Sequence, residues 1–178
     1  MQGSPDAMPL SPDQLLARLA ELGIQATTHH HPPVFTVAES QHLRGQLPGG
    51  HCKSLFLRDR QGDFWLVVML EHRKVSVNAL ARAIGAPRVS FASAEELMDL
   101  LGVIPGAVTP FGLINDVGTR VTPVLDSAML REHSLLNYHP LDNSMTTAIS
   151  PEDLLRFIRA TGHDPRLVEL EPLETATP

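Results

Sequence analysis

One cysteine, two lysines and one tryptophan among 178 residues set the first limits on this chain. A lone cysteine closes no internal disulfide and supplies no paired-thiol metal or redox motif. No stretch of 18 apolar residues occurs, and no segment has the charged, apolar and small-residue regions of a secretory leader. A soluble cytoplasmic protein with no membrane partner is therefore expected. Aromatics are scarce at 4% while prolines number 15, so the core must be aliphatic and the turns many. Hydrophobic residues at 43% and charged residues at 19% are an ordinary globular balance. The length suits one domain with its own core, expected over residues 11–171 between flexible ends at 1–10 and 172–178. No internal repeat is present, and a monomer is expected.

The net charge of −6 argues against a polyanionic partner until its distribution is considered. Residues 44–88 carry eight bases (Arg44, Lys53, Arg58, Arg60, Arg73, Lys74, Arg82, Arg88) and three acids, a net +5, and the remainder carries −11. Either these are scattered solvated charges, or they build a basic face for a polyanion.

Capping signals organise the rest. Ser11-Pro12-Asp13-Gln14 is a capping box with proline at the first helical position, and the leucines at 15, 16, 19 and 22 make one apolar stripe ending at Gly23. Thr36-Val37-Ala38-Glu39 is a second box, and Ser76, Ser93 and Ser150 open helices that run towards Gly85, Gly102 and Gly162. Strands are expected at 24–28, 52–58, 64–70, 88–91, 111–115, 120–125, 134–138, 145–149 and 166–170. The segment 64–70, FWLVVML, is apolar on both faces and reads as a central strand. More strands than helices, many joined by tight turns, imply an α+β domain with one mixed sheet.

Within GHCKSLFLR, residues 50–58, strand alternation sends Cys52, Ser54 and Phe56 to one face and Lys53, Leu55 and Leu57 to the other. Cys52 has no neighbour placed to lower its pKa and fits a small buried hydrophobe better than a nucleophile. Lys53, after a Gly-Gly turn, either snorkels at a strand end or holds its ammonium at the mouth of a cleft for a phosphate or carbonyl oxygen. His29, His30 and His31 alternate in direction in an extended segment and match no metal-ligand spacing, so no metal is expected. The Gly/Pro loop around Gly106-Ala107-Val108-Thr109-Pro110 can bring backbone groups close to a ligand. His139, with Asn143 and Thr146 nearby, is either a general base or hydrogen-bond partner, or a turn histidine satisfied locally.

Taken in order, HHHPPVFTVAES, HCKSLFLRD, the G-x-x-x-P loop at 106–110 and NYHPLDNSMTTAISPEDLLRFI resemble the YbaK/prolyl-tRNA synthetase editing-domain superfamily. The likeness is greatest to its freestanding ProXp-ala (PrdX) branch and runs from about Pro12 to Leu170. It implies a curved mixed sheet flanked by helices, no cofactor or metal, and trans-editing hydrolysis of the ester of mischarged Ala-tRNA(Pro). Cys-tRNA(Pro) deacylation, within the same superfamily, is the alternative substrate. A non-catalytic aminoacyl-tRNA-binding module and a hydrolase of free small esters are the other readings. The resemblance gives Lys53 a place near the terminal adenosine phosphate, lines the aminoacyl pocket with Gly106 to Pro110, and makes His139 the pocket histidine, with Asn143 and Thr146 beside it. Arg88 takes the place of a basic contact to the acceptor stem, and prolyl-tRNA synthetase is a further candidate partner. In this family a vicinal ribose hydroxyl of the substrate assists, so no protein nucleophile is required. The family often has Asn after the strand lysine; this chain has Ser54.

Overall fold

The computed structural model describes residues 8–33 and 47–170. Among these, eight strands form one mixed sheet in the order β1-β7-β6-β2-β3-β5-β8, with β4 added to β2 off that path. The strands are β1 (Thr27–His30), β2 (Gly50–Asp59), β3 (Phe64–Leu70), β4 (Val89–Phe91), β5 (Val121–Asp126), β6 (Leu136–Tyr138), β7 (Met145–Ile149) and β8 (Arg166–Val168). The helices are α1 (Pro12–Glu21), α2 (Val77–Ile84), α3 (Ala94–Leu101), α4 (Ser127–Glu132) and α5 (Pro151–Ala160).

Each cap expected within these residues is made. Ser11 and Ser93 complete capping boxes with Gln14 and Glu96, and the hydroxyls of Ser76 and Ser150 accept from Ala79 and Asp153 N–H. Gly85 and Gly102 close α2 and α3 in the left-handed conformation, at φ of 72° and 67°. The box at Thr36 to Glu39 lies outside the described residues.

The central strand β3 shows why the domain has two apolar layers. Leu66, Val68 and Leu70 enter a large core with α1, α3 and α5, through Leu15, Leu19, Leu101 and Phe157. Val67 and Met69, the alternate residues, enter a smaller core against Leu80 and Ile84 of α2. Each such aliphatic side chain contributes about 1.5–3 kcal/mol on full burial, so α2 is the lid of the second face rather than an ornament. β2 follows the same alternation: Phe56 lies in the large core and Cys52 packs against it, while Leu57 lies in the small core and Leu55 packs against it.

Two expectations need correction. Residues 111–115 are not a strand but belong to a 3-10 helix, Pro110–Asn115, whose Thr109 cap hydroxyl accepts from Phe111 N–H; a short apolar run does not distinguish the two by period. Arg73 is not part of a basic surface. Its guanidinium pairs with Asp126 at 3.2 Å inside the protein. Among the described residues, no helix is long and apolar enough to cross a membrane.

Candidate functional site

The parallel ladder between β2 and β6 pairs Gly50 with Leu136 and His51 with Asn137. Leu136 and Tyr138 face the large core, as Cys52 does, so Asn137 and His139 share the other face with His51 and Lys53. On β7, Thr147 pairs with Tyr138 and its hydroxyl meets that of Thr28 at 2.8 Å. Thr146 therefore points to the His139 side, opposite His29 of β1. Lys53 of β2 and, from the β6–β7 hairpin, His139 and Thr146 rise from one face at the β2–β6–β7 junction.

Glycines make that junction close. At Gly49, with φ of 99°, a Cβ would stand 2.7 Å from the Leu135 carbonyl oxygen, so only glycine lets the turn before β2 lie against β6. Asn137 secures the approach, its side-chain N–H groups donating to the carbonyls of Pro48 (3.0 Å) and Gly50 (3.2 Å). The Lys53 ammonium donates to the Arg73 carbonyl, which ties its position to the segment that the Arg73–Asp126 pair anchors.

His139 donates from Nδ1 to the Met145 carbonyl at 2.8 Å. Because a carbonyl only accepts, the Nδ1 proton is fixed and Nε2 carries the lone pair. Burial pushes the imidazole below the ordinary histidine value, against the opposing pull of the Met145 carbonyl, so the ring is neutral at pH 7. His31, which the sequence offered only as one of three histidines, stands beside it with ring centroids 6.3 Å apart. His31 bonds the Pro32 carbonyl through Nδ1 (2.9 Å) and the Thr146 hydroxyl through Nε2 (2.7 Å). The turn between β6 and β7 adds buried Asn143, whose side-chain nitrogen has no hydrogen-bond partner among the described residues.

The Gly106 to Pro110 loop is anchored from the large-core side. Ala107 is a core residue, Val108 packs against that core, and Thr109 and Pro110 are buried. Gly106 turns the chain at φ of 93°. The Ala107 N–H is spent on the Ile104 carbonyl, whereas the N–H groups of Gly106, Val108 and Thr109 have no intramolecular partner among the described residues. The loop runs into the 3-10 helix, whose Phe111 packs edge-to-face on Tyr138 with centroids 6.0 Å apart, on the large-core side of β6 and so on the face opposite His139.

Cys52 is no nucleophile. It packs against the large core, and burial pushes its thiol up to about 12. Arg88 is not brought together with Lys53. It precedes Val89, which pairs with Asp59 six residues along β2, about 20 Å away on an extended strand. There it lines a depression with Arg58 and Arg60. The Asp59 carboxylate in that depression is already occupied by the N–H groups of Gln61, Asp63 and the Trp65 indole, which leaves Arg60 and Arg88 exposed.

The aminoacyl-tRNA editing domain model matches residues 31–157, a span that contains His31, Lys53, Arg88, the 106–110 loop, His139, Asn143 and Thr146. The chain belongs to that family. Membership of that family implies aminoacyl-tRNA deacylation. A bovine prolyl-tRNA synthetase associated domain-containing protein 1 is 39% identical over 158 residues, covering 86% of this chain and 92% of that one. The prolyl-tRNA editing protein ProX of Acetoanaerobium sticklandii is 36% identical over 157 residues, 88% of this chain and 95% of that one. A solved structure described as a candidate trans-editing enzyme for prolyl tRNA synthetase shares the editing-domain fold, with a TM-score of 0.68 at 21% identity over 90% of this chain and 98% of that one.

Proposed function

We propose that this protein edits in trans for prolyl-tRNA synthetase, hydrolysing the ester of alanine wrongly attached to tRNA(Pro). The observation that carries the reading is the neutral His139, its Nε2 lone pair held on the same sheet face as Lys53 within a chain of the editing-domain family. The relatives named for prolyl-tRNA synthetase and prolyl-tRNA editing direct it to tRNA(Pro).

The chemistry needs no protein nucleophile. Water adds to the ester carbonyl, the carbon–oxygen bond to the ribose breaks, and the ribose oxygen leaves with a proton passed through the vicinal hydroxyl. In this reading the unpartnered N–H groups of Gly106, Val108 and Thr109 receive the negative charge that develops on the carbonyl oxygen. Lys53 steadies the terminal adenosine phosphate, and the exposed Arg60 and Arg88 meet the acceptor stem farther along β2. An aminoacyl ester is already activated, so orientation and oxyanion stabilisation supply most of the acceleration.

The test is deacylation of Ala-tRNA(Pro) by purified wild-type protein, Lys53→Ala and Cys52→Ser. Wild type and Cys52→Ser release alanine, and folded Lys53→Ala loses most of the activity. No release by the wild type, or equal loss in both folded variants, overturns the reading.

A further inference from the structure

Of the phenylalanine, tyrosine and tryptophan rings among the described residues, that of Phe91 is the one left exposed, at 62%. Its place on the sheet follows from the register. Phe91 of β4 pairs with Leu57 of β2, and Val89 pairs with Asp59. The residues on either side carry the hydrogen bonds: Ala92 N–H donates to the Phe56 carbonyl (3.0 Å) and Arg60 N–H to the Arg88 carbonyl (3.1 Å). Phe91 and Leu57 are therefore a non-hydrogen-bonded pair, the kind whose side chains stand closest together on one face. On that face Leu57 and Val89 are buried in the small core beneath Leu80 and Ile84 of α2, but the cover ends before Phe91. Alternation along β2 gives the same face to Lys53, four residues from Leu57 and about 13 Å away. Phe91 thus stands between Lys53 and the strand end where Arg60 and Arg88 lie.

A single exposed ring is ordinary, and its surroundings decide what it is for. Ser90, the neighbour of Phe91, lines the depression with Arg58, Arg60 and Arg88. Arg58 is engaged by Glu96 at 3.0 Å, whereas Arg60 and Arg88 stay exposed beside a carboxylate, that of Asp59, which is occupied by its own N–H donors. A protein-docking patch gathers several apolar side chains; the residues flanking Phe91 on its strand are Ser90 and Ala92. An aromatic face set beside arginines, with no apolar patch around it, suits a nucleobase, whose π-face stacks on the ring while the guanidinium groups take the adjoining phosphates.

We infer that Phe91 is a stacking platform for an unpaired base of the tRNA 3′ end, at the step between the terminal adenosine at Lys53 and the acceptor stem at Arg60 and Arg88. The inference rests on the tRNA substrate proposed above. It adds to a charge-dependent surface one contact that does not respond to salt.

The experiment measures the Kd of uncharged tRNA(Pro), intact or trimmed of its unpaired 3′ nucleotides, over a range of salt. Wild type, Phe91→Ala, Phe91→Leu and Phe91→Trp are compared, each checked for folding by circular dichroism, and alanine release from Ala-tRNA(Pro) is followed with the same wild-type preparation. Loss of a base stack predicts that Phe91→Ala binds intact tRNA(Pro) about fivefold or more weakly than wild type. Phe91→Trp keeps the affinity, and Phe91→Leu, apolar but without a π-face, recovers little of it. The log–log salt slope is the same in all four, because a stacked ring releases no counterions. On the trimmed tRNA all four bind alike. A merely structural role for the ring would weaken binding of both RNAs together; that outcome, unchanged binding by Phe91→Ala, or full recovery in Phe91→Leu overturns the inference. A wild type that binds tRNA(Pro) but releases no alanine has failed the editing reading, while the same Kd ratios still decide the platform; one that binds no tRNA(Pro) has failed both.

Discussion

Arg73 and Asp126 form an ion pair with nitrogen and oxygen 3.2 Å apart and side chains only 4% and 0% exposed. Asp126 also caps α4 through the Ala128 N–H and accepts from Leu170 N–H, both at 3.3 Å. The carbonyl of the same Arg73 receives the Lys53 ammonium. One buried carboxylate thus joins the end of β5, the start of α4, the C-terminal edge of the domain and the residue expected to hold substrate phosphate.

Removing that carboxylate takes away the ion pair that Asp126 makes with a buried guanidinium. Asp126→Ala is expected to lose about 3–5 kcal/mol of stability, measured as a shift in the urea midpoint at unchanged slope. A loss below 1 kcal/mol would mean that the pair is not a structural anchor.

Cys52 gives a stability prediction with a definite sign. Its ordinary thiol value of 9.0 is pushed up to about 12 by burial in the folded protein. Between these values the unfolded chain gives up its proton while the folded chain keeps it. This contribution to stability is therefore fully present below pH 9 and is lost as pH rises towards 12. Wild type is expected to weaken over that window more steeply than Cys52→Ser, and its native thiol to resist alkylation at pH 7 until denaturant is added. Rapid alkylation of the native protein would contradict the buried assignment.

His139 predicts the acid side of the rate profile. Burial, the largest influence, holds the imidazole below its ordinary value of 6.5, and the neutral form is the one with a free lone pair. Activity should fall only as pH drops through a value below 6.5, so kcat/KM stays level from pH 7 to 6.5 and declines at lower pH. An acid limb centred above 6.5 would show that a different group limits the reaction.

The separation of Arg88 from Lys53 along β2 implies that RNA binding and bond cleavage respond to different changes. Binding of Ala-tRNA(Pro) should weaken linearly in log–log form as salt rises, since each phosphate contact releases counterions. Arg88→Ala should raise KM and reduce the salt slope while leaving kcat nearly unchanged. Salt-independent activity, or a pure loss of kcat, would remove Arg88 from the RNA surface.

Much of the fold can be read from local signals because those signals are local in cause. The caps at Ser11, Ser76, Ser93 and Ser150 act within three residues, and the two-sided apolar run at 64–70 coincides with β3. The helix at Ser127–Glu132 escaped notice because its cap is Asp126, the final residue of β5. The 3-10 helix was disguised by an apolar stretch too short to show its period. Lys53, His139 and Thr146 could be named from the chain as site candidates, but the place of His31 beside them could not. Its partner Thr146 lies 115 residues away, and within HHHPP nothing marks which histidine will find a hydroxyl. The same distance problem hid Arg73, whose charge in sequence suggested a surface and whose partner, Asp126, lies 53 residues on.

The central claim is that this member of the editing family removes alanine from tRNA(Pro) and spares proline. A synthetase pocket shaped for proline excludes the smaller alanine weakly, since lost apolar contact is worth only about 1–3 kcal/mol. A second site that admits by size supplies the remaining discrimination. The decisive measurement is the rate of ester hydrolysis on tRNA(Pro) charged separately with alanine, cysteine and proline, at equal concentration and with the same purified protein. The account predicts fastest release of alanine, slower release of cysteine and intact prolyl-tRNA; faster release of cysteine would contradict the substrate assignment, and rapid release of proline would contradict editing itself.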